Sequence, residues 1–586
     1  MNTMDTIASA RGRQRSGYAL VMVMVFAAIG LTVLTGTMNW ASQTALMNER
    51  NNQLTTTTFA AEAATERIVS RLMQDYKASG ESVVFNNLNS YRTDVPDSGE
   101  NAYWANFQFS NGSGATNQLY VARTQTQIFT NLNGPYTGLR GFVSNYRVVS
   151  NARQTTGRFN LTNAVQQDIQ LASIPVFQFA IFFNSLLEFT MAAPLTVRGR
   201  VHANSNIFLG STASLDLREN VTATGTIARQ AWFGYGLSDF TGGITYGGSA
   251  TSNTSALTLP IGTNNTAAAV REVINIPPAA ESMSSSMGQQ RFYNKAELLI
   301  LVSNATVTVR VKTPFDASPT TIPWANASYF IATNVTFTDQ REGKTMKITE
   351  LDVAKYRTWA ATNTSVAAKL GGGNAPNIVY VADNRSTTTS QKTAVRLING
   401  QTLPTRGLTL ATVNPLYVKG HYNCTNNAHL GTTNTSSSRP ASLVADALTV
   451  QSGAWSDAAS GGSYSSRVPS DTTINAALLA GMVYSSANGT TIRSGGVVNF
   501  PRLLEAWSGR TLTLNGSLVN LFDSASATAP FQWPGTYYSA PSRNFNFDPN
   551  FLDSTRMPPG SPELRVLIRG TWAAAPPNRT NYVASF

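Results

Sequence analysis

Cysteine occurs once in this chain, at Cys424, and histidine only at His202, His421 and His429. A lone thiol excludes an internal disulfide framework and any cysteine-based zinc cluster. No second thiol or strongly basic cluster flanks Cys424, so it reads as a small core or loop residue. His421 and His429 sit among Asn423, Asn426 and Asn427. A metal site there would need a distant carboxylate, because no H-x-x-x-H spacing, carboxylate triplet or Asp-x-Asp loop accompanies them. They read as polar turn residues, and no metal or cofactor is expected. No G-x-S-x-G nucleophile elbow occurs, and Gly371-Gly372-Gly373 lacks the lysine and hydroxyl residue of a phosphate-binding loop. In 405–522 the only acidic residues are Asp446, Asp457, Asp471 and Glu505. Asp446 and Asp457 are the one candidate carboxylate pair. Asp446 stands in an apolar strand and reads as a turn cap, so no enzyme is expected.

Charge is scarce too. Only 13% of the residues are charged, and Ser, Thr, Asn and Gly fill the gap, a composition suited to extended strands with polar turns. The net charge of +12 is scattered without a run of five basic residues, which argues against a nucleic-acid partner. Outside a cell positive charge can attract lipopolysaccharide, acidic glycans or DNA, but basic residues scattered in this way read as a solvated surface.

What is present first is Ser16 to Met38, SGYALVMVMVFAAIGLTVLTGTM, without a charge until Glu49. About 20 apolar residues cross a hydrocarbon core as a helix. Arg11, Arg13 and Arg15 precede it and predict a cytoplasmic amino end, with the rest of the chain outside. A secretory signal peptide would have a shorter apolar run, about 7–15 residues, and a small-residue cleavage site. A plain signal anchor fits the hydropathy as well as a third reading. Ser16-Gly17, followed by Tyr18-Ala19-Leu20-Val21, resembles the class III leader junction of type IV prepilins. That resemblance implies that a prepilin peptidase cuts after Gly17, that Tyr18 becomes the amino terminus, and that Tyr18, Leu20, Met22, Phe26, Gly30 and Leu34 belong to a helix serving inner membrane and assembly. Ala60-Ala61-Glu62-Ala63-Ala64 is similar to the amino-terminal region of PilX-like minor pilins. Major pilins usually carry glutamate at the fifth mature position, where this chain has Met22; PilX-like proteins and GspK-type pseudopilins share that lack. It implies a rare or tip position among other pilin-like subunits.

No proline follows until Pro96, and Leu46, Leu54, Phe59, Ile68, Leu72 and Tyr76 loosely share one helical face. The expected helix therefore runs from 18 to 78, about 90 Å at 1.5 Å per residue. Residues 79–172 alternate apolar and polar, with strands expected at Ser82–Phe85, Tyr103–Phe109, Gln118–Arg123, Phe142–Ser150 and Ala164–Leu171. A long helix followed by such a sheet is the pilin ground plan.

After Pro175 an internal template appears: Leu195–Val201, Val221–Ile227, Leu416–Tyr422 and Leu512–Leu518 each read apolar, polar, apolar, polar, Gly, polar, apolar. Period two puts the apolar residues on one strand face, and the glycine marks a bend or close backbone approach. Repeated short strands with Asn- and Ser-rich turns predict β-solenoid rungs, a β-sandwich being the alternative. Between the two groups of copies, a short helix is expected over Ala280–Gln290, strands at Ala296–Ser303 and Thr306–Val311, and an amphipathic helix over Asp352–Thr362. Five stretches, Leu408–Asn423, Ala441–Asp457, Ile474–Tyr484, Gly495–Phe522 and Arg543–Leu552, resemble a block of large bacterial pilin-like proteins of unassigned function.

The expected fold class is α+β, mainly β: a leader at 1–17, a transmembrane and extended helix at 18–78, a pilin-like antiparallel sheet at 79–172, a solenoid-like part at 173–275, an inserted α+β lobe at 276–404 and a second solenoid-like part with the carboxyl-terminal segment at 405–586. The function this implies is a non-catalytic minor pilin-like or pseudopilin-like protein of a type IV pilus or secretion fibre, in the inner membrane with its body in the periplasm before assembly and at the cell surface afterwards, with surface glycans as possible ligands. The alternative is a membrane-anchored β-helix that binds or cleaves polysaccharide.

Overall fold

The computed structural model describes residues 16–191, 193–230, 241–257, 266–485, 496–530 and 536–575. The expected leader, with its three arginines, lies outside them except for Ser16 and Gly17. The fold is α+β and mainly β: a long amino-terminal helix, a sheet that carries it and a β-solenoid-like body. The chain forms two compact units, one of Met1–Gln127, Val143–Leu171 and Arg565–Phe586, the other of Ile128–Phe142 and Ala172–Leu564.

In the first unit, helix α1 spans Ser16–Ser79. Strand Arg140–Gln154 pairs with Phe107–Ser110, Tyr120–Asn131 and Thr162–Pro175, and the last of these pairs with Glu563–Ala575, so the chain's carboxyl-terminal strand completes the sheet. Two local expectations change. Ser82–Phe85 belongs to a helix, Glu81–Asn86; four residues are too few to separate a period of two from 3.6, and Glu81 is held by Arg123 and the Tyr146 hydroxyl. Tyr103 lies in a helical turn, Ala102–Asn106, because the Asn101 side chain accepts from the Tyr103 N–H; the strand begins only at Phe107.

The second unit is a stack of parallel rungs. Strands Leu298–Val302, Ile378–Asp383, Leu408–Thr412, Ala441–Ala445 and Thr472–Ala480 pair in sequence, all in parallel, and Lys344–Asp352, Gln391–Ile398, Leu416–Lys419, Leu448–Gln451 and Arg502–Leu503 do the same in a second sheet. Segment 276–404, expected as an insertion, therefore supplies rungs of the same stack. Its strand Ile378–Asp383 is buried throughout and carries no glycine template, which is why the repeat was not visible there. The expected helix over Ala280–Gln290 is a run of turns, and a helix forms only at Phe292–Lys295. The Ser282 and Ser285 hydroxyls accept from the Ser284 and Gly288 N–H groups, the local competition by which serines disfavour helix. The helix expected over Asp352–Thr362 is present at Val353–Thr362, with Val353, Tyr356 and Trp359 buried.

One rung is made from two remote segments. Call Ile181–Phe183 β1, Leu195–Arg198 β2, Val201–Ala203 β3, Thr511–Asn520 β4 and Ser542–Phe547 β5. The first part of β4 pairs in parallel with β5, and its last three residues pair with β1. On their other side, β5 pairs with β2 and β1 with β3. Leu512 and Leu518 thus stand in line with Leu195 and Val201, so these two template copies occupy equivalent places; between them, the same places are filled by Arg543–Phe547 and then Ile181. Further rungs continue from β2 and β3 to Leu215–Leu217 and Val221–Ala223, offset by 20 residues. Inward residues of these sheets form one core, including Leu195, Val197, Val201, Leu410, Leu443, Leu478 and Leu514.

Polar side chains also stack. Asn546 donates to Asn515 Oδ1 at 2.8 Å, and Asn515 to Asn475 Oδ1 at 2.8 Å. Arg198 Nη1 reaches Asn546 Oδ1 at 2.9 Å. All three asparagines are buried, and each amide satisfies its neighbour, as buried polar groups must. The composite rung imposes a steric condition as well. Gly199 has φ 126°, and a methyl group there would stand 2.6 Å from Phe547 Cβ and 2.7 Å from Ala180 Cβ, where the two segments meet. Gly199→Ala is expected to destabilise this unit by at least about 2 kcal/mol, from left-handed backbone and overpacking together. Urea titration of the purified chain checks this; an unchanged midpoint would contradict it.

Candidate functional site: the long helix

Helix α1 is divided by what its side chains touch. Every residue from Tyr18 to Asn52 is exposed except Leu46, which is half-buried. From Gln53 onward one face is buried: Gln53, Thr57, Ala60, Ala61, Ala64, Thr65, Ile68, Val69, Leu72 and Tyr76. Their spacing of three and four is one side of a helix, and they share a core with Val121, Tyr146, Val148, Val165, Ile169 and Leu171. The face begins with small and polar residues, so large apolar side chains did not mark it. Leu54 and Phe59, expected on it, are 40% and 64% exposed.

Hydrogen bonds register the helix on its sheet. The Gln53 amide donates to Phe159 O at 2.5 Å and accepts from the Phe159 N–H at 3.0 Å. Gln167 donates to Thr65 Oγ1 at 2.9 Å, and Asn163 to Leu54 O at 3.0 Å. Arg67 and Arg71 both bind Asp94 at 2.6 Å. Burial raises the Asp94 carboxyl, and Arg71 and Arg67 outweigh it, holding the carboxyl below its usual range. Glu66, which lies beyond the Ala60–Ala64 stretch, pairs with Arg569 of the strand Glu563–Ala575 at 2.5 Å.

The exposed half contains all the residues expected for membrane and assembly. Gly17 lies in the first turn of α1, and Tyr18, Leu20, Met22, Phe26 and Leu34 are exposed. Around Gly30 and Gly36 there is open space, which would admit a close neighbouring helix. The hydroxyls of Thr32, Thr35 and Thr37 bond to carbonyls one turn back within α1, so none requires water. The most apolar 18-residue window has a mean hydropathy of 2.4; by length and composition α1 can cross a membrane. Sequence reading missed how far the apolar surface continues. Phe26, Val33, Trp40, Met47 and Leu54 recur every seven residues, a stripe that drifts only about 20° per step. Trp40 and Met47 are 72% and 64% exposed.

The other candidates are not brought together. Asp446 is fully buried and pairs with Arg271 at 2.9 Å, while accepting from Ser524 and the N–H groups of Ala525 and Ser526. It anchors that loop and does not cap a turn of its own strand. Asp457 pairs with Arg396 at 2.6 Å, so the two carboxylates serve separate ion pairs. Glu505 accepts from Ser452, and Asp471 from the Thr511 N–H. His429 bonds to Ser437 and His421 accepts from the Thr473 N–H; among the described residues no group of His, Cys, Asp and Glu could hold a metal ion. His202 bonds to Thr222 and Asn204, and burial pushes it down to about 4. Cys424 is buried.

No family model matches the chain, and no curated protein matches it. Among solved structures it is similar to the competence-associated pilin ComZ from Thermus thermophilus, over 88% of this chain and 97% of that one, with 11% identity and a TM-score of 0.30. A superposition that loose carries no argument.

The division of α1 has a direct consequence. Ala64 is fully buried, so Ala64→Leu is expected to destabilise the first unit by about 1–3 kcal/mol through overpacking. Phe59→Ser is expected to change stability by less than about 0.5 kcal/mol. Urea titrations of both variants check the contrast, and equal losses would contradict it.

Proposed function

We propose that the chain is a non-catalytic minor pilin-like or pseudopilin-like structural protein. A prepilin peptidase removes the leader after Gly17. The segment beginning at Tyr18 holds the protein in the inner membrane, with its body in the periplasm, until α1 packs with other pilin-like subunits in or at the tip of a type IV pilus or related secretion fibre. The β-rich body is then displayed at the cell surface for assembly or adhesion, with surface glycans among its ligands.

The observation that supports this best is the apolar stripe of α1 running past the uncharged interval's membrane-length core to Trp40 and Met47. Burying a large apolar side chain is worth about 1.5–3 kcal/mol. A plain anchor has no use for such residues beyond the hydrocarbon core, whereas a helix that packs among helices buries them. Met22, in place of the usual glutamate, suits a subunit added rarely or at the tip. The second reading, a membrane-anchored β-helix that binds or cleaves polysaccharide, draws on the parallel rungs of the body; the ion-paired Asp446 and Asp457 favour binding over cleavage within it.

Mass spectrometry of the protein from its native host tests the proposal. The expected mature terminus is Tyr18, and deletion of the prepilin peptidase should leave the leader attached. An intact Met1 in the presence of the peptidase, or cleavage near Ala41, would contradict it.

A further inference from the structure

The first unit is closed by the last part of the chain. Its other segments lie before residue 172, and Ala172–Leu564 belongs to the second unit before Arg565 returns to the first. The sheet ends with Thr162–Pro175 and then Glu563–Ala575. The strand made last therefore covers a strand that would otherwise present a row of unpaired N–H and C=O groups.

Three alternate residues of that strand reach α1, and a period of two puts them on one face. Arg569 binds both oxygens of Glu66, Nη1 to Oε1 at 2.5 Å and Nη2 to Oε2 at 2.7 Å, across 503 residues of sequence. Leu567 packs on the apolar core that α1 shares with the sheet. Arg565 Nη1 donates to Lys77 O at 3.3 Å, in the last turn of α1, where carbonyls lack helical partners and a cation is favoured. The spacings agree: Glu66 to Lys77 is about 16 Å along a helix, and Arg565 to Arg569 about 13 Å along a strand, so the strand runs against the direction of α1. Gln167 ties the layers together, donating to Thr65 Oγ1 and Glu66 Oε1, both at 2.9 Å, while its own Oε1 stands 3.4 Å from Arg569 Nη1. Both partners of the Glu66–Arg569 pair are open to solvent, and such pairs add little stability. The pair sets register, whereas strand pairing and Leu567 supply the hold.

We propose that Arg565–Ala575 is a clasp that makes the seating of α1 on its sheet conditional on completion of the chain. Until it closes, the helix rests on a sheet with an open edge and lacks its contacts at Glu66 and Lys77. The consequence rests on the assembly reading above: a subunit offers a fixed α1 to its neighbours only after its body has been made.

Hydrogen exchange of the full chain in detergent tests the clasp itself. In Leu567→Asp, amides of 57–79 and 162–171 are expected to exchange about tenfold faster or more than in wild type, with those of 408–480 unchanged. Wild-type rates in the first unit, or equal rises in both units, would overturn the proposal. If Leu567→Asp does not fold, Leu567→Ala takes its place, with a smaller rise in the same amides. In the native host, a photoreactive residue at Trp40 separates the clasp from the assembly reading. Wild type is expected to crosslink to other pilin-like subunits, and the clasp variant, inserted in the membrane at the same level, is not. Crosslinks from both chains overturn the conditional role and leave the assembly reading standing. Crosslinks from neither, with the exchange contrast present, support the clasp and count against the assembly reading.

Discussion

The second unit depends on a single pairing constraint, that both halves of β4 must find parallel partners. Its backbone N–H and C=O groups are buried, and leaving them unpaired would cost about 1–3 kcal/mol each. The chain meets the requirement with β5 for one half and β1 for the other. These are segments from opposite ends of the unit's sequence; Ser517 of β4 donates to Phe179 O across 338 residues. The rungs that begin at β1, β2 and β3 therefore rest on strands made last, and the unit cannot complete its stack from the amino end alone. Closing so long a loop adds little entropy beyond that of a loop half its length, but non-local parallel pairing is slow to form. The asparagine ladder crosses this junction and fixes its register: a slip of one residue would turn Asn515 and Asn546 away from each other.

Helix α1 solves a different problem. Its lower half approaches a sheet closely because Ala60, Ala61 and Ala64 are small, and Gln53 and Thr65 satisfy polar groups at the contact. Its upper half keeps its apolar side chains unused. The two halves share one continuous helix, so a force or a partner acting on Trp40 acts on a rod whose far end is fixed to the sheet by the alanine face and to the adjoining loops by Gln53 and the Asp94 ion pairs. That combination is the physical basis of the proposed assembly role, and it does not require chemistry elsewhere in the chain.

Much of this was legible in the residues. The uncharged run and the absence of proline before Pro96 fixed the long helix, and period-two alternation located most strands of the first unit. The glycine template found positions Leu195–Val201 and Leu512–Leu518, which the register shows to be equivalent. It could not show that β5 and β1 fill the place between them, because neither segment carries the full template and pairing is a three-dimensional property. Segment 276–404 looked foreign because Ile378–Asp383 is a continuous buried run without the glycine. The later part of the sheet-binding face of α1, Ile68, Leu72 and Tyr76, was legible from its large apolar side chains; its beginning was not, because Gln53, Thr57, Ala60, Ala61 and Ala64 are small or polar and hydrophobic periodicity is counted on large side chains.

The central claim is that the exposed stripe of α1 is buried against the helices of other subunits. The most direct measurement is site-specific photocrosslinking in the native host, with the reactive residue placed at Trp40 and, as a reference, at exposed Val468 of the body. Crosslinks from position 40 to the amino-terminal helix of pilin-like subunits, dependent on the assembly machinery, are the predicted result. Crosslinks to lipid alone, or the same products with and without that machinery, would contradict it.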